Sequence, residues 1–255
     1  MLRYDSAVTQ LAIITGGGRG IGAATARLAA ERGYAVCVNY RKNAKAAEEV
    51  VSAIEAAGGT AFTVCADVAV EADVLRLFET VDTRPGVLTA LVNNAGILEK
   101  QTRVEHIDAA RLARVFATNV TGAFLCAREA VRRMSTTHGG KGGAIVNLSS
   151  RAAQLGAPGE YVDYAASKAA IDAMTIGLAR EVAGEGIRVN GVRAGIIYSD
   201  IHADGGEPGR VDRLAPQLPM KRGGEPIEVA RAILWLLSDE ASYSTGTFID
   251  VAGGR

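Results

Sequence analysis

The chain has 255 residues, 28 basic and 28 acidic side chains and therefore no formal net charge, and 48% of it is hydrophobic. That balance excludes a mainly disordered chain and lacks the basic excess of nucleic-acid binders. No apolar run reaches the roughly 18–20 residues of a membrane span. Cys37, Cys65 and Cys126 are few and far apart, which fits neither a disulfide framework nor a metal cluster and suits a reducing compartment.

Short β-branched runs alternate with Ala-rich helical patterns from end to end, the pattern of a parallel sheet with crossover helices. The N-terminal residues Met1 to Asp5 lack an apolar leader region. A strand is expected at 10–15, a helix at 20–32, a strand at 34–39 and a helix at 43–57. A strand at 61–66, a helix at 70–83 and a strand from Leu88 to Val92 follow, then one long helix over 108–134. The second half gives a strand from Ala144 to Leu148, a helix over 161–184 and a strand at 187–192. The Gly/Pro-rich stretch 195–225 reads as an irregular excursion. Pro226 then opens a helix ending near Ser238, and Thr247 to Val251 forms the last strand. The fold expected is α/β: a Rossmann-type, doubly wound sheet of seven parallel strands ordered 3-2-1-4-5-6-7, with helices on both faces. One catalytic domain spans 1–255, with a substrate lid over about 195–225.

Thr15-Gly16-Gly17-Gly18-Arg19-Gly20-Ile21-Gly22 lies between the first strand and the first helix. Gly16 permits a tight turn, Gly20 admits a pyrophosphate, and Gly22 allows close packing of helix on sheet. The helix N-terminus then presents free N–H groups to the phosphates. An NAD site usually carries an acid at the tip of the second strand, and Val38-Asn39-Tyr40-Arg41-Lys42 has none. Arg41 and Arg19 suit a 2′-phosphate, so NADP is favoured. NAD stays possible, with Asn39 serving the ribose hydroxyl.

Tyr164 and Lys168 are four residues apart in a helical pattern and share a face. An ammonium beside a phenol favours the phenolate, making Tyr164 a candidate acid for a carbonyl or base for an alcohol. Ser149 and Ser150 end the fifth strand, and Asn93-Asn94-Ala95-Gly96 ends the fourth, both at the carboxyl edge where such sheets bind ligands. Asn119 is a polar residue inside an otherwise apolar helical stripe, which suits either a functional group or a buried structural hydrogen bond.

Together these motifs resemble the short-chain dehydrogenase/reductase family in its compact single-domain form, over essentially the whole chain. Thr15 to Gly22 is similar to its T-G-x-x-x-G-x-G motif, Asp67-Val68 to its adenine-contacting pair, and Asn93 to Gly96 to its N-N-A-G motif. The resemblance implies a catalytic set of Asn119, Ser150, Tyr164 and Lys168. In it Tyr164 is the general acid/base and Ser150 orients the substrate oxygen. Lys168 binds the nicotinamide ribose and lowers the phenol pKa, and Asn119 holds a relay water. Cofactor contacts are implied for Gly16, Gly18, Arg19, Gly20, Ile21, Gly22, Asn39, Tyr40, Arg41, Asp67, Val68, Asn94, Ala95, Gly96, Tyr164, Lys168, Gly195 and Ile197, with no metal. Homo-tetramers through the helices 108–134 and 161–184 are implied as well.

Three departures stand out. Ala194-Gly195 replaces the usual Pro-Gly, Ser150 and Tyr164 are 14 residues apart rather than 13, and Ala252 replaces an acid in the closing motif. The spacing leaves Ser149 as the alternative to Ser150. The reading is an NAD(P)-dependent oxidoreductase acting on a carbonyl or secondary alcohol in the cytoplasm. Tyr198, His202, Glu207 and Arg210 suit a sugar or small polar carbonyl. The chain loosely resembles members labelled glucose 1-dehydrogenase-like and 3-oxoacyl reductase-like, so sugar oxidation is an alternative. A non-catalytic cofactor-sensing module is a further one, against which Tyr164 and Lys168 are both present.

Overall fold

The computed structural model describes residues 9–255, so the leaderless reading of Met1 to Asp5 lies outside the described residues. The first half runs β1 (Gln10–Ile14), α1 (Gly20–Glu31), β2 (Ala35–Tyr40), α2 (Ala44–Ala56), β3 (Thr60–Cys65), α3 (Glu71–Asp82), β4 (Val87–Asn93), α4 (Ala109–Phe116) and α5 (Gly122–Met134). The second runs β5 (Gly143–Ser150), α6 (Ala152–Leu155), α7 (Val162–Val182), β6 (Ile187–Ala194), α8 (Ile201–Asp204), α9 (Arg210–Leu214), α10 (Pro226–Leu237) and β7 (Phe248–Val251). All seven strands pair in parallel, in the order β3-β2-β1-β4-β5-β6-β7. That is the expected Rossmann-type arrangement.

Side-chain alternation along the strands explains the layers. Ala12, Ile14, Val36 and Val38 face a core built with α1, α2 and α10. Leu11, Ile13 and Cys37 point the other way, onto α3, α5 and the C-terminal half of α7. Both faces are covered, which is why the central strands read as continuous apolar runs rather than as an alternating pattern.

The structure departs from the sequence expectation in three places. The helix expected over 108–134 is two helices joined by a π-helical turn at Ala117–Thr121, and Asn119 sits inside that turn. Such one-turn widenings are tolerated where function or buried hydrogen bonding needs them. β6 runs two residues past the expected 187–192, to Ala194, because it stays paired with β5 up to Ser150. Finally, the 195–225 stretch carries two short helices, α8 and α9, between irregular connections.

Buried polar groups tie the layers together. Arg111 of α4 meets Asp163 of α7 through Nε at 2.6 Å and also donates to the Lys100 carbonyl at 2.6 Å. Asn93 Nδ2 donates to Asn147 Oδ1 at 2.9 Å, and Asn147 Nδ2 donates to Thr175 Oγ1 at 2.9 Å, so β4, β5 and α7 are fixed in register.

Candidate active site

A cleft of about 1060 Å³ crosses the carboxyl edge of the sheet, where β1 and β4 diverge into loops on opposite sides. Eighteen of the twenty sequence-derived site residues line it; Gly22 and Asn119 do not.

At one end the Gly-rich loop leaves β1 for α1. Gly16 (φ +62°) and Gly20 (φ +52°) both hold left-handed backbone, which an L side chain rarely adopts. Arg19 stands at the N-cap with no side-chain acceptor for the first-turn N–H groups, and no acid occupies that turn. The helix therefore opens on the cleft with its donors free, which is the condition for binding an anion there. The dinucleotide phosphates fit these residues.

Two asparagines build the loop from behind. Asn94 Nδ2 donates to the Thr15 carbonyl at 2.8 Å and the Gly16 carbonyl at 3.0 Å. Thr15 Oγ1 accepts from the Asn94 and Ala95 amides at 2.9 and 3.0 Å, so the N-N-A-G segment and the glycine loop are knotted together. Asn39 is 2% exposed; its Oδ1 accepts from Gly16 N at 3.2 Å, and its Nδ2 donates to the carbonyls of Val64 and Ala66. This corrects the reading of Asn39 as a ribose ligand. Its amide is consumed in holding the loop to the end of β3, and it acts on a nucleotide through that loop.

Arg41 is 3.6 Å from Asp67 Oδ2 across the cleft rim, and Arg19 pairs with Asp204 of α8. The pairing of Arg19 was not foreseen, since its partner lies 185 residues away. Gly195 lines the cleft and also answers a packing need. A Cβ there would stand 2.7 Å from the Ala252 Cα, so the crossing of the C-terminal segment requires the glycine.

At the other end stand the residues of the expected catalytic set. Ser149 is 2% exposed and its Oγ donates to the Lys168 carbonyl at 3.3 Å, a structural bond. Ser150 is half-buried, accepts from the Ala152 amide at 3.1 Å, and its hydroxyl acts on the Tyr164 phenol. Of the two serines, Ser150 has the geometry for substrate. Tyr164 is half-buried at the cleft wall, and its poorly solvated hydroxyl is pushed up to about 12 by burial, with Ser150 acting in the opposite sense. The expected lowering by Lys168 is not what this arrangement gives. Lys168 Nζ lies 5.7 Å from the Tyr164 ring centroid and donates to the Leu148 carbonyl at 2.7 Å. Burial brings Lys168 itself down to about 8.

Asn119 braces the site from outside the cleft. Its Oδ1 accepts from Ile97 N at 2.8 Å, while its Nδ2 donates to the Ile97 carbonyl at 3.0 Å and to Ser167 Oγ at 3.1 Å. Both Nδ2 protons are used, and Oδ1 keeps one further acceptor position. Tyr161, Glu160 and Thr118 line the cleft too and were not singled out from sequence. Tyr161 stands three residues before Tyr164, nearly one helical turn away, and that spacing was the available signal.

Nucleotide cradle at one end and Ser, Tyr and Lys at the other define a dehydrogenase-type site on a Rossmann-type sheet. A family model described as enoyl-(acyl carrier protein) reductase matches residues 16–255. The chain is 60% identical over 245 residues to the uncharacterized oxidoreductase YgfF of Escherichia coli K12, covering 96% of this chain and 99% of that one. It is 37% identical over 247 residues to a Staphylococcus aureus 3-oxoacyl-[acyl-carrier-protein] reductase, FabG, covering 97% and 98% of the two chains. A dehydrogenase/reductase structure from Sinorhizobium meliloti 1021 superposes with a TM-score of 0.88 at 32% identity, over 98% of this chain and 96% of that one. The chain belongs to the short-chain dehydrogenase/reductase family. It is an oxidoreductase of that family, whose members use NAD(P) and small-molecule substrates. No helix among the described residues is long and apolar enough to cross a membrane.

Proposed function

We propose that this protein is an NADPH-preferring reductase of a small carbonyl compound, working through Ser150, Tyr164, Lys168 and Asn119 in one catalytic domain lidded by the 195–225 segment. The observation that carries the reading is one continuous cleft with an uncapped helix N-terminus at one end and the Ser150–Tyr164–Lys168 cluster at the other.

NADPH, when bound, supplies the hydride to the carbonyl carbon. The chain's part is to orient the carbonyl and deliver the proton. Ser150 donates a hydrogen bond to the substrate oxygen and fixes it against Tyr164. A phenol held near 12 stays protonated at neutral pH, so Tyr164 meets a carbonyl as the acid. Lys168, charged below about pH 8, holds the nicotinamide ribose and stabilises the phenolate left after proton transfer. Asn119 acts by position: it fixes Ile97 and Ser167 around Lys168, and its π turn widens the helix backbone beside them.

Cofactor preference rests on Arg41 and on the missing acid after β2. The Asn39 amide is engaged with the loop and the end of β3, residues 39–42 carry no carboxylate for a 2′-hydroxyl, and Arg41 can exchange Asp67 for a 2′-phosphate. Titration of the protein with NADPH and NADH, followed by nicotinamide fluorescence, tests this directly. NADPH is expected to bind more tightly; tighter NADH would overturn the preference. Arg41→Ala should weaken NADPH by about tenfold or more, the loss of one charge-assisted contact, and NADH far less. Equal losses would make Arg41 a surface charge.

The same reading places the enzyme in the cytoplasm as a homo-tetramer. Leu112, Phe116, Phe124 and Ile176 leave large apolar side chains exposed on α4, α5 and α7, a surface suited to a second copy. Sedimentation of a monomer at working concentration would remove the tetramer.

A further inference from the structure

Three buried side-chain polar atoms among the described residues have no hydrogen-bond partner: Tyr161 OH, His202 Nδ1 and Asp172 Oδ1. Buried polar atoms are nearly always paired in folded proteins, so each orphan calls for a reason. Tyr161 and His202 line the same cleft as Ser150 and Tyr164.

Tyr161 is 3% exposed. The Gln101 amide, whose Nε2 donates to Glu207 Oε2 at 2.5 Å, approaches the Tyr161 oxygen with its second N–H, which leaves the phenol proton without an acceptor. His202, carried by α8, meets the Ile197 carbonyl through Nε2 at 3.1 Å. A carbonyl can only accept, so Nε2 bears the proton and Nδ1 is a bare acceptor. Burial and the nearby Arg210 keep the ring below its usual range and hence neutral at pH 7. Arg210 lies against both residues, 5.0 Å over the Tyr161 ring. Its charge is taken by Glu160 at 2.5 Å and Glu207 at 3.0 Å.

We propose that Tyr161 OH and His202 Nδ1 form a hydroxyl-recognition subsite under the 195–225 segment, and that the substrate is a carbonyl compound with a hydroxyl near its carbonyl. The proposal rests on the reductase reading and narrows it. A hydroxyl can donate to Nδ1 or accept from the phenol; an alkyl chain does neither.

Hydroxyacetone and butanone differ by a hydroxyl in place of a methyl and make the test. Their ratio of kcat/KM is compared in the wild type, Tyr161→Phe and His202→Phe, which cancels the intrinsic reactivity of the two ketones. The wild type should prefer hydroxyacetone, and each variant should cut the ratio at least tenfold. An unchanged ratio in both variants overturns the subsite. Quenching of bound-NADPH fluorescence by each ketone gives a readout free of turnover. Selective binding of hydroxyacetone without reduction of either ketone would sink the reductase reading and keep the subsite; equal or absent binding of both, without turnover, would overturn the subsite.

The third orphan stands apart from these. Tyr164, Lys168 and Asp172 follow one another at four-residue steps on α7 and share a face. Asp172 Oδ2 accepts from Arg193 Nε at 2.9 Å, and Arg193 in turn stacks on Phe248 at 3.9 Å and reaches Asp250 at 3.6 Å. Lys168 is faced by Tyr164 and Asp172 on α7, by the Leu148 carbonyl of β5, and by Asn119 across Gly96, with Arg193 of β6 behind Asp172. We infer that Asp172 is a positioning residue whose unpaired oxygen keeps the buried Lys168 ammonium charged. Burial pulls Lys168 down to about 8, and Asp172 opposes that pull.

The pH dependence of NADPH affinity reads this without any substrate. In the wild type affinity should fall as pH rises through about 8 and Lys168 loses its proton. Asp172→Asn should move that limb down by about one unit, the usual scale for a nearby opposite charge. Arg193→Gln frees Asp172 from its partner and should move the limb up, and Asp172→Glu should restore it. A merely structural role would lower affinity at every pH with the limb in place, and that result overturns the inference. Absence of the limb in the wild type overturns the Lys168 assignment and this inference with it.

Discussion

Tyr164→Phe lowers turnover by about one hundred- to ten thousand-fold, the range for removing a positioned general acid, while NADPH affinity stays within a few-fold. The substitution deletes one oxygen and keeps the ring that borders the cleft, so cofactor contacts made by the loop after β1 are untouched. The loss should appear in kcat more than in KM, because proton delivery matters in the transition state and little in the ground state. Stopped-flow measurement of the first turnover separates chemistry from product release. Turnover within tenfold of the wild type would mean that another group protonates the carbonyl oxygen, and Ser150 would be the next to test.

The parts of this site that were legible in the sequence are those set by local chemistry. The apolar runs that became β1, β2, β4 and β5 needed no tertiary information, because strands buried on both faces are apolar throughout. Thr15 to Gly22 could be placed between strand and helix because its glycines answer backbone needs at each step. Tyr164 and Lys168 could be put on one face because helical spacing alone does so. What failed depended on where a side chain at an element's end turns. Asn39 looked like a ribose ligand, yet pairing of β2 with β3 brings the Val64 and Ala66 carbonyls to its amide. Asn119 suits either a functional group or a buried structural hydrogen bond in the sequence, and a π turn that no propensity reveals points it at Ile97.

Long-range approach was equally hidden. Arg111 and Asp163, 52 residues apart, gave no local sign of their buried pairing, and Tyr161 and His202 come together through folding of the 195–225 segment over α7. That segment was correctly read as rich in Gly and Pro, but its short helices α8 and α9 are held by ion pairs rather than by propensity. Arg19 anchors the end of α8 through Asp204, and Glu160 and Glu207 clamp the start of α9 through Arg210. The glycine loop after β1 and α8 are thus joined by one exposed ion pair, Arg19 with Asp204.

Gly22→Ala is the second change with a large expected effect, and it acts without touching any ligand. A Cβ at position 22 would stand 2.4 Å from the Gly16 carbonyl oxygen and 2.6 Å from Asn94 Nδ2. Neither neighbour can retreat freely. The Gly16 and Gly17 amides are held by Asn39 at 3.2 and 2.8 Å, and Asn94 Nδ2 is committed to the Thr15 and Gly16 carbonyls. The strain therefore falls on the loop that carries the phosphate donors. Overpacking of this kind costs about 1–3 kcal/mol, which as lost affinity is roughly 5- to 150-fold for NADPH. NADH should weaken by a similar factor, since the displaced donors serve the pyrophosphate common to both. Gly177→Ala, in the middle of α7 with nothing within 4 Å of the added carbon, is the matched control. It should leave both affinities unchanged and raise stability by about 0.5–1 kcal/mol, the gain of alanine over glycine inside a helix. If Gly22→Ala bound both nucleotides as tightly as the wild type, the loop would be yielding at no cost. The phosphate donors would then not depend on the knot of Thr15, Gly16, Asn39 and Asn94.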